Sequence, residues 1–285
     1  MPKFNRIDLI DSIRRLSISI GRVFGHVPKD VIDFERKREF VRAYIEGDIA
    51  KKLPAKSFIH EGVIQYGYLK GIRFENLVNL QAGIAQKLLG VYEVELTDAL
   101  SKLINRKYDW IVNIGAAEGL YSIKFSREWL GIPVYSFEQD FSTRQLLREL
   151  IGLNKASNVV PLGEFKLEYM RQLNDGKKGL IFSDCEGFEA ELFSSNMMQF
   201  IQNHDLVIET HDHLAAETHD MVKKTLVESH QVTEVDQITL EQRSDRIANE
   251  SFKSLDAHVK LSILDENRHP SNRWLIALSQ SGREV

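Results

Sequence analysis

Cysteine is almost absent from this chain: Cys185 is the sole one in 285 residues. An intrachain disulfide and a four-cysteine zinc site are therefore excluded. Near-absence of cysteine also suits a reducing compartment, so a cytoplasmic location is expected. No apolar run reaches the ~18 residues that a membrane-spanning helix needs, and none is expected. Ile18 to Phe24 is partly apolar, but Arg14, Arg15 and Arg22 interrupt the region and no small-residue cleavage site follows. A secretion signal is therefore not expected. An excess of positive charge is missing too, with 37 basic against 41 acidic residues and a net charge of −4. That balance gives no basic face for general nucleic-acid binding, and no nucleic-acid partner is expected.

What is present is ordinary globular composition, 43% apolar and 27% charged, which argues against disorder or a fibre. The length fits one large domain, or a domain with an extension. Residues 1–105 read as a helical N-terminal extension with a short β/loop segment at 60–80. In its first stretch Phe4, Ile7, Leu9, Ile10, Ile13, Leu16 and Ile20 recur at helical spacing between charged residues. Such a helix packs on the main domain or forms a dimer arm; a peripheral membrane contact is the less favoured use. A second helix is expected over Val31 to Ile49, capped by Asp30. Gly62, Tyr66, Gly67, Tyr68, Gly71 and Phe74 mark short strands or a loop. Helical periodicity returns over residues 81–105.

From residue 106 to 285 the pattern changes. Short apolar runs at Trp110–Ile114, Val134–Phe137, Val159–Leu162, Leu180–Ser183 and Leu206–Ile208 alternate with amphipathic stretches. Repeated βα units predict a parallel sheet with helices on both faces, its strands buried on both sides. Gln231–Ile238 and Trp274–Ser279 read as two further strands, too far apart in sequence for a tight hairpin.

The first chemical signal follows the first of these runs, at Asn113-Ile-Gly115-Ala116-Ala117-Glu118-Gly119. A strand enters a loop of small residues and then a helix, and ligands of open α/β sheets bind beside such loops. The spacing is Gly-x-x-x-Gly. The middle glycine of a dinucleotide fingerprint is replaced by Ala116 or Ala117, so a nicotinamide-dependent oxidoreductase is a weaker reading than a smaller nucleoside ligand. Glu138 ends the next strand 23 positions after Gly115. There it, with Gln139 beside it, is placed to meet ribose hydroxyls. Gly163 and Glu164 end the third run, where a glycine leaves room for a base and the acid can bond its exocyclic amine.

The second signal is Asp184-Cys-Glu186-Gly-Phe-Glu189, again after a strand, followed by Glu209-Thr-His211-Asp212-His213 after another. Two neighbouring strand ends thus deliver carboxylates and imidazoles to one crevice. Clustered carboxylates raise one another's pKa or recruit a cation. Glu189 and Glu191 read as surface or capping charges, and His213 and His219 as a solvated helix start.

In these segments the chain resembles the FkbM family of S-adenosylmethionine (SAM) dependent O-methyltransferases. The resemblance rests on Gly115-Ala-Ala-Glu-Gly119, Asp184-Cys-Glu-Gly-Phe-Glu189 and Val207-Ile-Glu-Thr-His211, in that order, over residues 108 to 215. It implies a Rossmann-like class I methyltransferase fold, mostly parallel and seven-stranded. It implies SAM as cofactor, held by Asn113, Gly115, Ala116, Ala117, Glu118, Gly119, Glu138, Gln139, Gly163, Glu164 and Asp184. Asn113 departs from the pattern, since the family usually has an acid there, and Glu118 is the substitute partner for the amino group of the methionine end. The implied reaction is methylation of a hydroxyl on a saccharide, glycan or related metabolite.

A hydroxyl is a poor nucleophile at neutral pH and must be deprotonated or polarised. Two devices fit the residues. His211 can act as base, held by Glu186 or Glu209, with Asp184 beside it. Alternatively Asp184, Glu209 and Asp212 can bind Mg²⁺ through oxygens. A non-catalytic SAM-binding scaffold is the competing class.

Overall fold

The computed structural model describes residues 62–74, 83–173, 176–265 and 268–280. The helices expected over Phe4–Ile20 and Val31–Ile49, and the membrane or dimer contacts expected of the first, lie outside the described residues.

Seven strands form one sheet: β1 (Trp110–Ile114), β2 (Val134–Phe137), β3 (Val159–Leu162), β4 (Gly179–Ser183), β5 (Asp205–Thr210), β6 (His230–Asp236) and β7 (Arg273–Ser279). Their order is β3-β2-β1-β4-β5-β7-β6. β1 to β5 are mutually parallel, and β7 runs antiparallel to both β5 and β6. This is the Rossmann-like class I SAM methyltransferase topology. The chain leaves β1 in opposite lateral directions toward β2 and β4, so the crevice between the ends of β1 and β4 is the switch point where ligands of such sheets bind.

The apolar runs form strands because both faces are covered. Ile111, Val134, Leu180, Phe182, Val207 and Trp274 pack into one core. Their neighbours Trp110, Val112, Ile181, Leu206, Ile208 and Leu275 pack into another on the opposite face. Side chains of a strand alternate in direction, so a run apolar at every position is stable only between two layers. Each such side chain contributes roughly 1.5–3 kcal/mol on burial. The helix Phe141–Asn154 shows how the layers are anchored. Asp140 caps it by accepting the Thr143 amide at 2.8 Å, and Leu146, Leu147 and Leu150 face the core.

The stretch read as continuously helical over 81–105 is divided. Gly90, at φ +75°, ends the helix Ile84–Leu89, and a second helix runs Thr97–Leu103 after a short 3-10 turn. A left-handed glycine cap breaks a helix without breaking its apolar periodicity. Residues 62–74 fold back on themselves through a Val63–Arg73 bridge. Ile64, Leu69, Ile72 and Phe74 from this turn, and Leu88, Leu96 and Leu100 after it, belong to the same core as Ile111 and Leu180.

The 36 residues between β6 and β7 carry the short helices Leu240–Asp245, Glu250–Lys253 and Ala257–Leu264. Ile247, Phe252, Ile263 and Leu264 bury against Ala85, Leu89, Val91 and Val94. Gln86 Nε2 donates to the Ile263 and Asp265 carbonyls at 2.7 and 2.9 Å. These contacts fix residues 84–94 beside the β6–β7 connection, and both segments reach the acidic strand ends. No helix among the described residues is long and apolar enough to cross a membrane.

Candidate active site

The glycine loop leaves β1 at the switch point. Gly115 sits at φ +77°, and a Cβ there would lie 1.7 Å from the Asp184 carbonyl oxygen. Glycine is thus demanded by backbone contact between the two loops, a constraint independent of any ligand. Ala117 is also left-handed, at φ +47°. Its amide donates to Glu138 Oε2 at 3.0 Å, while the Asp140 amide donates to Oε1 at 2.7 Å. Glu138 therefore closes the loop from the end of β2. Burial raises its pKa, and the two amide bonds oppose that rise. Gly119, at φ +93°, opens the helix Leu120–Glu128.

Other loop candidates have other engagements. Asn113 is buried and turned into the core, where Nδ2 donates to Ser122 Oγ at 2.8 Å and Ser136 joins the same hydroxyl at 2.8 Å. Glu118 is buried in an ion pair with Lys87, whose ammonium lies 4.7 Å from the centre of the Tyr92 ring. Ala116 is buried and Gln139 exposed. Arg144 donates to the carbonyls of Glu138 and Gln139. Gly163 is half-buried near Arg144, and Glu164 is exposed with Lys166 at 4.0 Å. Glu138 and the glycine loop thus meet directly, whereas Glu164 lies open at the next strand end.

The acidic loop after β4 meets the end of β5. His211, whose side chain is 2% exposed, receives three carboxylates about Nε2: Asp184 Oδ1 at 3.6 Å, Glu186 Oε2 at 3.7 Å and Glu209 Oε2 at 3.9 Å. Its other nitrogen, Nδ1, is bonded to Glu189 Oε1 at 2.7 Å. The residue that orients His211 is therefore Glu189, not Glu186 or Glu209. Glu189 is fully buried and also accepts the Gly187 amide at 3.1 Å, which corrects its reading as a surface charge. Burial pushes the Glu189 pKa up, but its bonds to His211 and to amides outweigh that and hold it low. Burial pushes His211 down, and the carboxylates of Glu189, Glu209 and Glu186 reverse this to a net rise. Asp184 is raised well above the carboxylate range, first by burial and then by the charges of Glu209, Glu93 and Glu186. Its Oδ1 is shielded from solvent without a hydrogen-bond partner.

Sequence reasoning missed Glu93 and Arg268. Glu93, at φ +44°, accepts from the Tyr121 hydroxyl at 2.5 Å and shares a cluster with Asp184 and Glu209. Arg268 bridges Glu209 and Glu95, the latter at 2.8 Å. Asn272 also donates to Glu209, at 3.3 Å. The carboxylate that joins Asp184 and Glu209 is thus Glu93, whereas Asp212 turns to the His219 amide at 2.8 Å and to Arg273 at 3.5 Å. His219 is buried between Thr210 Oγ1 and Glu234 Oε2, at 2.9 and 2.8 Å, rather than solvated. His213 is exposed and stacks on His269. A Tyr-x-x-x-Lys spacing of the kind found in oxidoreductases does occur, at Tyr66 and Lys70. It lies in the 62–74 turn, and Tyr66 lines a separate cavity of about 470 Å³ with Lys124, Glu128 and Arg246.

No protein-family model matches the chain, and no curated protein matches it. Among solved structures it is similar to the O-methyltransferase TomG from Streptomyces achromogenes in complex with SAM, at 12% identity and TM-score 0.47, over 73% of this chain and 91% of that one. It is also similar to a precorrin-6y C5,15-methyltransferase from Geobacter metallireducens, at 16% identity and TM-score 0.41, over 66% and 87% of the two chains. A third is TYW2 from M. jannaschii in complex with AdoMet, at 11% identity and TM-score 0.37, over 65% and 75%. The fold assignment rests on the strand order and register described above.

Proposed function

We propose that the chain is a SAM-dependent O-methyltransferase of FkbM-like type, acting on a hydroxyl of a saccharide, glycan or related metabolite. The observation that carries this reading is the meeting of two loops at the switch point. One is the glycine loop closed by Glu138; the other is the acidic loop that faces His211. The first fits a nucleoside with ribose hydroxyls, and the second fits an acceptor that must lose a proton.

SAM supplies a methyl group on a sulfonium when bound, and the rest falls to the chain. Glu138 orients the ribose. Gly115 to Gly119 bring backbone close to the ligand, and the Asp184–Glu186–His211 cluster aligns the acceptor hydroxyl and draws off its proton. Glu189 is a positioning residue, since it holds Nδ1 and leaves Nε2 directed at the three carboxylates.

A second reading, a chain that binds the nucleoside without turnover, draws on the commitments of Asn113 to Ser122 and of Glu118 to Lys87. Both groups expected for the methionine end are engaged in the fold. Calorimetry with S-adenosylhomocysteine, paired with label transfer from methyl-labelled SAM to a panel of hydroxylated acceptors, separates the readings. Binding with transfer supports the methyltransferase. Binding without transfer to any acceptor favours the scaffold, and tighter binding of a nicotinamide dinucleotide overturns both.

A further inference from the structure

Two groups of side chains around Asp184 have metal-ligand spacing, and their surroundings differ. In the group Glu93, Asp184 and Glu209 two of the three carboxylates, Glu93 and Glu209, already have donors. Arg268 and Asn272 donate to Glu209, and Tyr121 donates to Glu93. In the group Asp184, Glu186 and His211 no such donor arrives from the other described residues. His211 Nε2 has three carboxylate oxygens at 3.6–3.9 Å, beyond hydrogen-bond reach. Two ligand atoms that share one transition-metal ion at about 2.1 Å lie about 3–3.5 Å apart. The ligand atoms of Asp184, Glu186 and His211 lie within 4.8 Å of one another, so an ion would draw the three together.

We infer that Asp184, Glu186 and the Nε2 of His211 form a site for one divalent first-row transition ion. Three observations support this beyond the clustering of charge. The His211 side chain is 98% buried, and its Nε2 has no hydrogen bond among the described residues. Its Nδ1 is held by the buried Glu189, the arrangement that fixes the tautomer of metal-bound histidines. Asp184 Oδ1 is sheltered from solvent without a donor. An imidazole ligand favours Mn²⁺, Co²⁺ or Zn²⁺ over Mg²⁺, which prefers oxygen and water. The inference rests on the methyl-transfer reading for its purpose: an acceptor hydroxyl on the ion loses its proton more readily.

The test uses the full chain stripped with a chelator. Co²⁺ binding is followed by visible absorption, and Mn²⁺ binding by paramagnetic resonance. One ion per chain is expected. Glu186→Gln, at an exposed position that tolerates the change, and His211→Asn are each expected to weaken it at least 10-fold. Glu189→Gln is expected to weaken it about 10–100-fold through lost orientation. Equimolar Mg²⁺ is expected not to displace Co²⁺. The site is overturned if the wild-type chain binds neither ion, if Glu186→Gln and His211→Asn both leave binding unchanged, or if Mg²⁺ competes equally. S-adenosylhomocysteine calorimetry on the same samples keeps the two readings apart. Metal without nucleoside overturns the methyltransferase and leaves the site standing; nucleoside without metal does the reverse.

Discussion

The two ends of the sheet both bury carboxylates, and they treat them differently. At the start of β5, Asp205 is fully buried and surrounded by donors: the Tyr108 hydroxyl at 2.8 Å, the Ser279 amide at 3.0 Å, Lys178 at 3.3 Å and the Arg106 guanidinium. At the ends of β4 and β5, Asp184, Glu186, Glu189 and Glu209 crowd a single imidazole, and Arg268 serves only Glu209 of these four directly. A buried carboxylate with its donors is part of the fold. Carboxylates that repel one another are held there by the fold, and their repulsion is available to a proton, a cation or a reacting hydroxyl.

Substitutions at the two ends can break this contrast. Asp184→Asn is expected to lower methyl transfer by about 10²–10⁴-fold, as for loss of a group acting on the acceptor proton, without lowering the urea midpoint. Asp205→Ala is expected to do the opposite. It leaves Lys178, Arg106 and Tyr108 without their shared acceptor and should cost about 3–5 kcal/mol in urea unfolding, while Kd for S-adenosylhomocysteine stays within threefold. Equal stability losses in the two variants would end the distinction. Glu138→Ala, which removes the carboxylate proposed to meet the ribose and its bonds to the Ala117 and Asp140 amides, should weaken S-adenosylhomocysteine about 10–100-fold by calorimetry.

The smallest expected effect is in pH dependence. The folded-state pKa of Asp184 is raised above its unfolded value of about 3.9, so its stabilising contribution is full below that pH. It is lost as pH rises through the folded value. His211 is also raised, and its contribution fades as pH climbs past its unfolded value of about 6.5 and through the folded one. Glu189 is lowered and acts in reverse: its contribution is present above about 4.3 and lost as pH falls through the folded value. Melting temperatures measured from pH 4 to 8 should therefore rise for Asp184→Asn relative to wild type as pH increases. A gap that narrows with pH would contradict this.

The sheet was legible because buried parallel strands are apolar at successive positions, and Trp110–Ile114 and Val134–Phe137 carry that mark except at Asn113 and Ser136, whose polar groups are joined to Ser122. Asp184, Glu186, Glu209 and His211 were legible as strand-end residues. Their partners were not. Glu189 looks like any helical glutamate until the end of β5 is laid over it. Glu93 and Arg268 come from segments outside the methyltransferase-like motifs, brought in by the apolar contacts of Val91 and Val94 with Ile247 and Phe252. His219 reads as a helix-start residue because nothing local announces Glu234 across from it. Sequence periodicity reports whether a position is buried, and it is silent on which distant side chain shares the burial.

Gly115 carries a mechanical implication. With the Asp184 carbonyl occupying the space of its missing Cβ, and the Asp184 amide bonded to the Ile114 carbonyl at 3.0 Å, the two loops cannot shift independently. A ligand that displaces the glycine loop is expected to move the Asp184 backbone with it. A ligand that displaces Asp184 is expected in turn to move the glycine loop. By linkage, any factor by which a ligand of the glycine loop changes the affinity of a ligand at the acidic cluster equals the factor of the reverse effect.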